Sequence, residues 1–169
     1  MKVLETERLI LRWITSDDAE FLFVLMNDTS YLRFIGDKGI RTITDAHDYI
    51  QNGPIDSYEN FGYGLYLTER KEDGAAIGIC GLVNRKTIDD VDIGFAFLPE
   101  YWSKGYAHES ATAVIEYGKN VVGLKRIVAV TAAENQSSIR LIKKIGLRFE
   151  KKVSLSADEP DVNLFSREF

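Results

Sequence analysis

The residues between Val91 and Ser110, Val-Asp-Ile-Gly-Phe-Ala-Phe-Leu-Pro-Glu-Tyr-Trp-Ser-Lys-Gly-Tyr-Ala-His-Glu-Ser, are where type and spacing could do chemistry. Gly94 interrupts an otherwise apolar strand pattern, a place where glycine weakens packing and marks a bulge or a close approach. Pro99 ends the strand because it has no N–H to give to a ladder. Ser103-Lys104-Gly105-Tyr106-Ala107 then opens a helix with small residues. Amide hydrogens at a helix start, backed by the positive end of the dipole, suit a phosphate, and Lys104 could add a charge. The same residues also fit a plain tight strand-to-helix turn. Neither the Gly-x4-Gly-Lys-Ser/Thr spacing of a P-loop nor a Gly-x-Gly-x-x-Gly dinucleotide fingerprint is present.

The elements that must position this stretch follow from periodicity. Arg8–Ile14 alternates as a strand, with Leu9, Leu11 and Trp13 on one face. Thr15-Ser16-Asp17-Asp18 caps a helix over about Asp17–Met26. A turn at Tyr31–Phe34 leads to a short helix capped by Thr44 and stopped by Gly53-Pro54. Tyr63–Thr68, Ala76–Val83 and Val91–Leu98 read as an antiparallel meander, the first two joined through Lys71-Glu72-Asp73-Gly74. After Gly105 the period becomes helical, with Ala107, Ala111, Val114, Ile115, Gly118 and Val121 in one stripe. Arg126–Thr131 is a short buried strand and Asn135–Ile145 a helix. Phe149–Leu155 and Val162–Arg167 close the chain as strands around the loop Ser156–Pro160. The expectation is a mixed α/β domain spanning 1–169, its central sheet of about seven strands mostly antiparallel and flanked by helices.

Composition narrows the function. Lys and Arg number 21 against 26 Asp and Glu, a net charge of −5. That balance disfavours nucleic acid and anionic membranes as partners. Cys80 is the one cysteine, which excludes an intrachain disulfide and a cysteine metal cage. The N-terminal residues lack a signal-peptide pattern and no long apolar run occurs, so a cytoplasmic protein is expected.

Three segments carry a family resemblance. Trp102-Ser103-Lys104-Gly105-Tyr106-Ala107 resembles the Gln/Arg-x-x-Gly-x-Gly/Ala pyrophosphate loop of the GNAT acetyltransferase superfamily. Asn135 to Leu141 followed by Lys144-Ile145-Gly146-Leu147 resembles its Asn-x-x-Ser-x-x-Leu-x-x-Lys-x-Gly-Phe signature. Thr6-Glu7-Arg8-Leu9-Ile10-Leu11-Arg12 with the Asp17-Asp18 helix resembles the RimJ/RimL-like branch, whose members acetylate N-terminal amines of ribosomal proteins among other substrates. Trp102 replaces the Gln or Arg of the wider superfamily, Ser103 a common Gly, Leu147 the usual Phe, and His108 a frequent Thr.

The resemblance implies a GNAT fold splayed at an acetyl-CoA cleft, acetyl-CoA as cosubstrate, no metal, and a primary amine as acceptor. The acceptor would be a protein α-amine such as that of a ribosomal protein, a polyamine, or an aminoglycoside-type drug; a non-catalytic CoA-binding module is the rival from another class. The chain would act as a monomer or homodimer. Backbone groups of Phe97 and Leu98 would bond the pantetheine amides, and the N–H groups of Ser103, Lys104, Gly105, Tyr106 and Ala107 would hold the diphosphate. Asp92 stands where several members place a glutamate base, or is a carboxylate that only hydrogen-bonds within the sheet. Ser138 matches the hydroxyl near the departing sulfur, or is an ordinary first-turn serine. Asn135 is a helix cap, a ligand of the pantetheine or acetyl end, or both. Transfer would be direct, since Cys80 sits in an apolar strand where a small buried thiol is ordinary. His47 reads as a solvated residue, His108 as a tolerated first-turn residue that could touch a CoA phosphate, Glu100 as an exposed residue near the mouth open to weak substrate steering, and Glu109 as a first-turn carboxylate matched to the dipole. The acceptor mouth would be built from Phe21–Phe34, Thr44–Gly53 and Ser156–Asp161, where Asp17, Asp18, Asp28, Asp45, Asp48, Asp158, Glu159 and Asp161 could favour a cationic amine or be ordinary solvated surface.

Overall fold

A computed structural model describes every residue, Met1–Phe169. Eight strands, β1 (Lys2–Glu5), β2 (Leu9–Trp13), β3 (Leu65–Arg70), β4 (Ala76–Val83), β5 (Asp92–Phe97), β6 (Arg126–Thr131), β7 (Arg148–Val153) and β8 (Val162–Glu168), form one sheet. Their spatial order is β1-β2-β3-β4-β5-β6-β8-β7, antiparallel throughout except at the β5–β6 junction. The helices are α1 (Ala19–Asn27), α2 (Thr29–Phe34), α3 (Ile43–Ile50), α4 (Asp56–Phe61), α5 (Tyr106–Tyr117) and α6 (Gln136–Lys144).

The alternation of β2 divides the core. Leu9 and Leu11 join Val114, Ile115, Ile142 and Ile145 on the face covered by α5 and α6. Ile14 joins Leu22, Leu25, Met26, Ala46 and Ile50 on the face covered by α1 and α3. Each fully buried Leu or Ile side chain stabilises by about 1.5–3 kcal/mol, so both helix pairs are fixed to the sheet by their apolar faces.

Several expectations are corrected. The sheet has an eighth strand because Lys2–Glu5 pairs with β2 through Leu4 opposite Leu11. Thr42, not Thr44, caps α3: its hydroxyl accepts from the Asp45 N–H at 3.0 Å, and the Asp45 carboxylate accepts from the Thr42 N–H. Gly53-Pro54 does not stop the helix. A π-helical turn over Gln51–Ile55 carries it into α4, its wider spacing accommodating the ring and the missing donor of Pro54. Gly62, at φ +78°, ends it instead. Tyr31–Phe34 lies in α2, a helix capped by the Asp28 carboxylate on the Ser30 N–H. Val121 is 69% exposed and leaves the buried stripe of α5. Gly94 marks no bulge: β4 and β5 stay in register through Gly81 opposite Gly94. The irregularity lies one strand away, where β4 slips against Thr68 and Glu69 of β3. The close approaches are at Gly78 and Gly81, where a Cβ would strike the Ala96 and Gly64 carbonyl oxygens.

Candidate active site

β5 and β6 touch at one point. Asp92 faces Val128, whose N–H donates to the Val91 carbonyl at 3.0 Å, and beyond it the two strands share no register. β5 remains held by β4 as far as Phe97, and β6 by β8 as far as Thr131, so the gap opens between two strands secured from outside. Backbone groups alternate sides along a strand. The Val91 carbonyl faces β6 while the Leu98 N–H donates back to Ile77 of β4 at 3.0 Å, so Phe95 and Phe97 turn their backbones toward the gap. Leu98 does not. Its N–H is held by Ile77 and its carbonyl accepts from the Tyr101 N–H at 2.9 Å, so the Leu98 backbone is not turned to the gap as that of Phe95 is.

The chain leaves β5 through a 3-10 turn, Pro99–Tyr101, and the Trp102 indole N–H donates back to the Phe97 carbonyl at 2.8 Å. Ser103 (φ +60°) and Gly105 (φ +83°) both adopt the left-handed region before α5 begins. The N–H groups of Ser103 through His108 have no protein acceptor; the first amide to close the helix is that of Glu109, on the Gly105 carbonyl. Lys104 and Ser103 are exposed, and Tyr106 is buried.

The loop is braced from an unforeseen direction. The Glu109 carboxylate accepts from the Thr6 hydroxyl at 2.6 Å, the Arg8 N–H at 2.9 Å and Arg8 Nε at 2.7 Å. Although burial opposes it, these bonds hold the carboxyl below its usual range. Arg8 Nη1 donates to the Lys104 carbonyl at 2.9 Å, and its guanidinium stacks over the Tyr106 ring at 4.4 Å. His108 and Glu109 line a shallow groove with Thr6, Arg8 and Thr112.

Asp92 is 1% exposed and points to the α1–α3 side of the sheet. Burial pushes its carboxyl up to about 6, against the pull of Arg85, whose Nε donates to Asp92 Oδ2 at 2.5 Å. The other carboxylate oxygen has no protein hydrogen bond. Arg85, in the turn between β4 and β5, carried no signal in the sequence beyond being a cation seven residues before Asp92. Its charge reaches Tyr31 and Tyr49, whose phenols burial pushes upward, and Lys38, which burial and Arg85 together push down while Glu159 opposes.

α6 lies on the opposite face. Asn135 caps it, its Oδ1 accepting from the Ser138 N–H at 3.2 Å. The Ser138 side chain is half-buried and its hydroxyl has no protein partner. Ser138 and Asp92 share no hydrogen bond: α6 packs on the α5 face of the sheet and Asp92 points to the other. Much of the acidic character expected of the acceptor mouth is spent on structure: Asp18 pairs with Arg12 at 2.8 Å, Asp28 caps α2, and the Asp45 carboxylate completes the capping box of α3 by accepting from the Thr42 N–H. Cys80 is fully buried, its thiol pushed up to about 12. His47 and Glu100 are exposed. No group of three or more His, Cys, Asp and Glu side chains is placed to hold a metal ion, and no helix is long and apolar enough to cross a membrane.

Residues 8–148 match the family model described as the acetyltransferase (GNAT) domain. The chain belongs to the GNAT acetyltransferase family. Among curated relatives, the uncharacterized N-acetyltransferase YoaA of Bacillus subtilis is 35% identical, the match covering 88% of this chain and 84% of that one. The spermidine N(1)-acetyltransferase of Escherichia coli K12 is 23% identical over 83% of this chain and 73% of its own length. The same fold occurs in RimL, a ribosomal L7/L12 alpha-N-protein acetyltransferase in complex with coenzyme A. RimL superposes at TM-score 0.81 with 18% identity, covering 99% of this chain and 98% of its own. The GNAT fold expected from the sequence is thus the one found, with an eighth strand added at the β1 edge.

Proposed function

We propose that this GNAT N-acetyltransferase takes its acetyl group from acetyl-CoA and delivers it to a protein α-amine, such as that of a ribosomal protein, with residues 1–169 acting as one catalytic domain. The observation that carries the reading is the gap between β5 and β6, which ends beside the free amides of Ser103–His108. The residues present fit the cosubstrate: the gap exposes backbone donors and acceptors to an extended arm, and the loop exposes donors to a diphosphate. The Phe95 backbone and the Phe97 N–H, whose own carbonyl is taken by Trp102, meet the arm in place of a strand partner, and Asn135 adds its carboxamide.

The substrate supplies a thioester, whose carbonyl carbon is attacked by the amine while the C–S bond breaks. Asp92 takes the proton that the ammonium must lose, directly or through one water, and its raised pKa suits a base working near neutrality. A backbone N–H of β5 beside the gap stabilises the oxygen that becomes negative. The Ser138 hydroxyl, free of protein partners, donates to the sulfur as it leaves. The chain does not route the acetyl group through Cys80, because a thiol held near 12 supplies almost no thiolate at neutral pH.

A single α-amine is favoured over a polyamine because Asp18, Asp28 and Asp45 of the expected mouth are held by Arg12 and by helix N-termini, leaving fewer free carboxylates for a second and third ammonium. The test is CoA release with an acceptor panel of peptides of varied N-termini, spermidine, spermine and an aminoglycoside. Turnover confined to peptides is expected; turnover confined to polyamines overturns the acceptor, and CoA binding without turnover on any amine overturns the catalysis.

A further inference from the structure

We infer that Arg8 and Glu109 are positioning residues for diphosphate recognition, setting the direction in which the loop amides point. The inference rests on the proposed placement of the diphosphate at Ser103–His108. One side chain, Arg8, reaches three consecutive loop residues: it donates to the Lys104 carbonyl at 2.9 Å, its Nη2 lies 3.2 Å from where a Cβ on Gly105 would stand, and it stacks on Tyr106 at 4.4 Å. In a planar trans peptide the C=O of one residue and the N–H of the next point in opposite directions. A guanidinium gripping the Lys104 carbonyl therefore aims the Gly105 N–H away from Arg8, where no protein group accepts it. The same grip holds a segment in which Ser103, a residue with a Cβ, keeps φ at +60°. Such backbone persists only where its surroundings over-determine it.

Glu109 fixes Arg8 in turn. One of its oxygens accepts from the Thr6 hydroxyl and the Arg8 N–H, the other from Arg8 Nε, so the side chain and backbone of the β1–β2 turn are locked to the first turn of α5. Because Glu109 neutralises the guanidinium, Arg8 acts through geometry and not as an added charge on the phosphate. A fork with fixed donors does this; a lysine ammonium does not.

The experiment measures Kd for CoA and for pantetheine, which lacks the diphosphate, by calorimetry on the full chain, so no acceptor amine is needed. The wild type should bind CoA far more tightly than pantetheine. In Glu109→Gln and Arg8→Lys that preference should fall about tenfold, the effect of losing one charge-assisted hydrogen bond. Pantetheine is the internal control for a general loss of fold. Wild-type preference in both variants overturns the positioning role, and preference retained in Arg8→Lys alone shows that charge, not geometry, is what Arg8 supplies. Thr6→Val, which removes a single donor to Glu109, serves if either variant is too unstable, with a smaller fall expected and an unchanged preference overturning the role. A wild type that binds both molecules equally refutes instead the diphosphate placement on which the inference rests.

Discussion

Arg85 Nε stands 2.5 Å from Asp92 Oδ2, and this ion pair joins the exposed β4–β5 turn to the most deeply buried carboxylate of the sheet. Burial raises the Asp92 pKa and Arg85 restrains the rise, leaving it at about 6. A base must be deprotonated to act, so kcat/KM should climb through pH 6 and level off above it. Asp92→Asn should lower kcat about a hundredfold and flatten that limb. In Arg85→Gln the restraint is gone, so the midpoint should move to higher pH. A pH–rate profile with the same midpoint in Arg85→Gln removes Asp92 from the role of base.

The same shift predicts a stability slope. The folded carboxyl keeps its proton up to about 6, whereas the unfolded one loses it near 3.8. Between those values the folded form holds the extra proton, so the contribution of Asp92 to stability falls as pH rises through the window and is constant above it. Melting temperature against pH should show that fall in the wild type and a shallower one in Asp92→Asn.

Asn135 serves α6 directly, through its bond to the Ser138 N–H. Asn135→Ala should cost about 1 kcal/mol in thermal or denaturant unfolding. It should also raise the Michaelis constant for acetyl-CoA; an unchanged constant with a lowered melting point assigns the residue to the cap alone.

Two glycines paired across β4 and β5 should respond differently to alanine. At Gly81 a Cβ would drive into the Gly64 carbonyl and the Leu65 Cα, both backbone, so Gly81→Ala should be severely destabilised or insoluble. At Gly94 it would meet only the flexible ends of Val83 and Leu65, at 3.3 and 3.4 Å, and Gly94→Ala should lose no more than about 1 kcal/mol. Soluble yield and, where both are soluble, urea unfolding rank the two variants, and a Gly81→Ala protein as soluble and stable as Gly94→Ala refutes the packing.

Cys80→Ala should retain wild-type kcat, with a stability loss of about 1 kcal/mol from the removed sulfur. Native Cys80 should resist iodoacetamide at pH 8 until the protein unfolds, since its thiol is buried and held near 12. Mass spectrometry of the intact protein after incubation with acetyl-CoA should show no acetylated Cys80.

The sequence by itself determined most of the elements and the place where chemistry belongs. The alternating run Leu9–Trp13, the uninterrupted apolar run Ala76–Val83 and the helical stripe after Gly105 are properties of neighbours a few residues apart, and so is the capping of α6 by Asn135. The Ser103–Ala107 segment announced its free amides because small residues at a helix start leave them open whatever the rest of the chain does. Local pattern failed where a neighbour far away in sequence decides. The π turn through Gly53-Pro54 and the pairing of Lys2–Glu5 depend on what packs against them. Only tertiary structure placed Arg85 on Asp92 and Arg8 on the Lys104 carbonyl, because an ion pair between a loop and a strand has no period. Only tertiary structure, too, showed that Asp18, Asp28 and Asp45 serve caps and Arg12, since a carboxylate's partner, not its presence, sets the charge a cleft displays. The gap between β5 and β6 belongs to neither strand: it exists because β4 and β8 hold each of them from the far side.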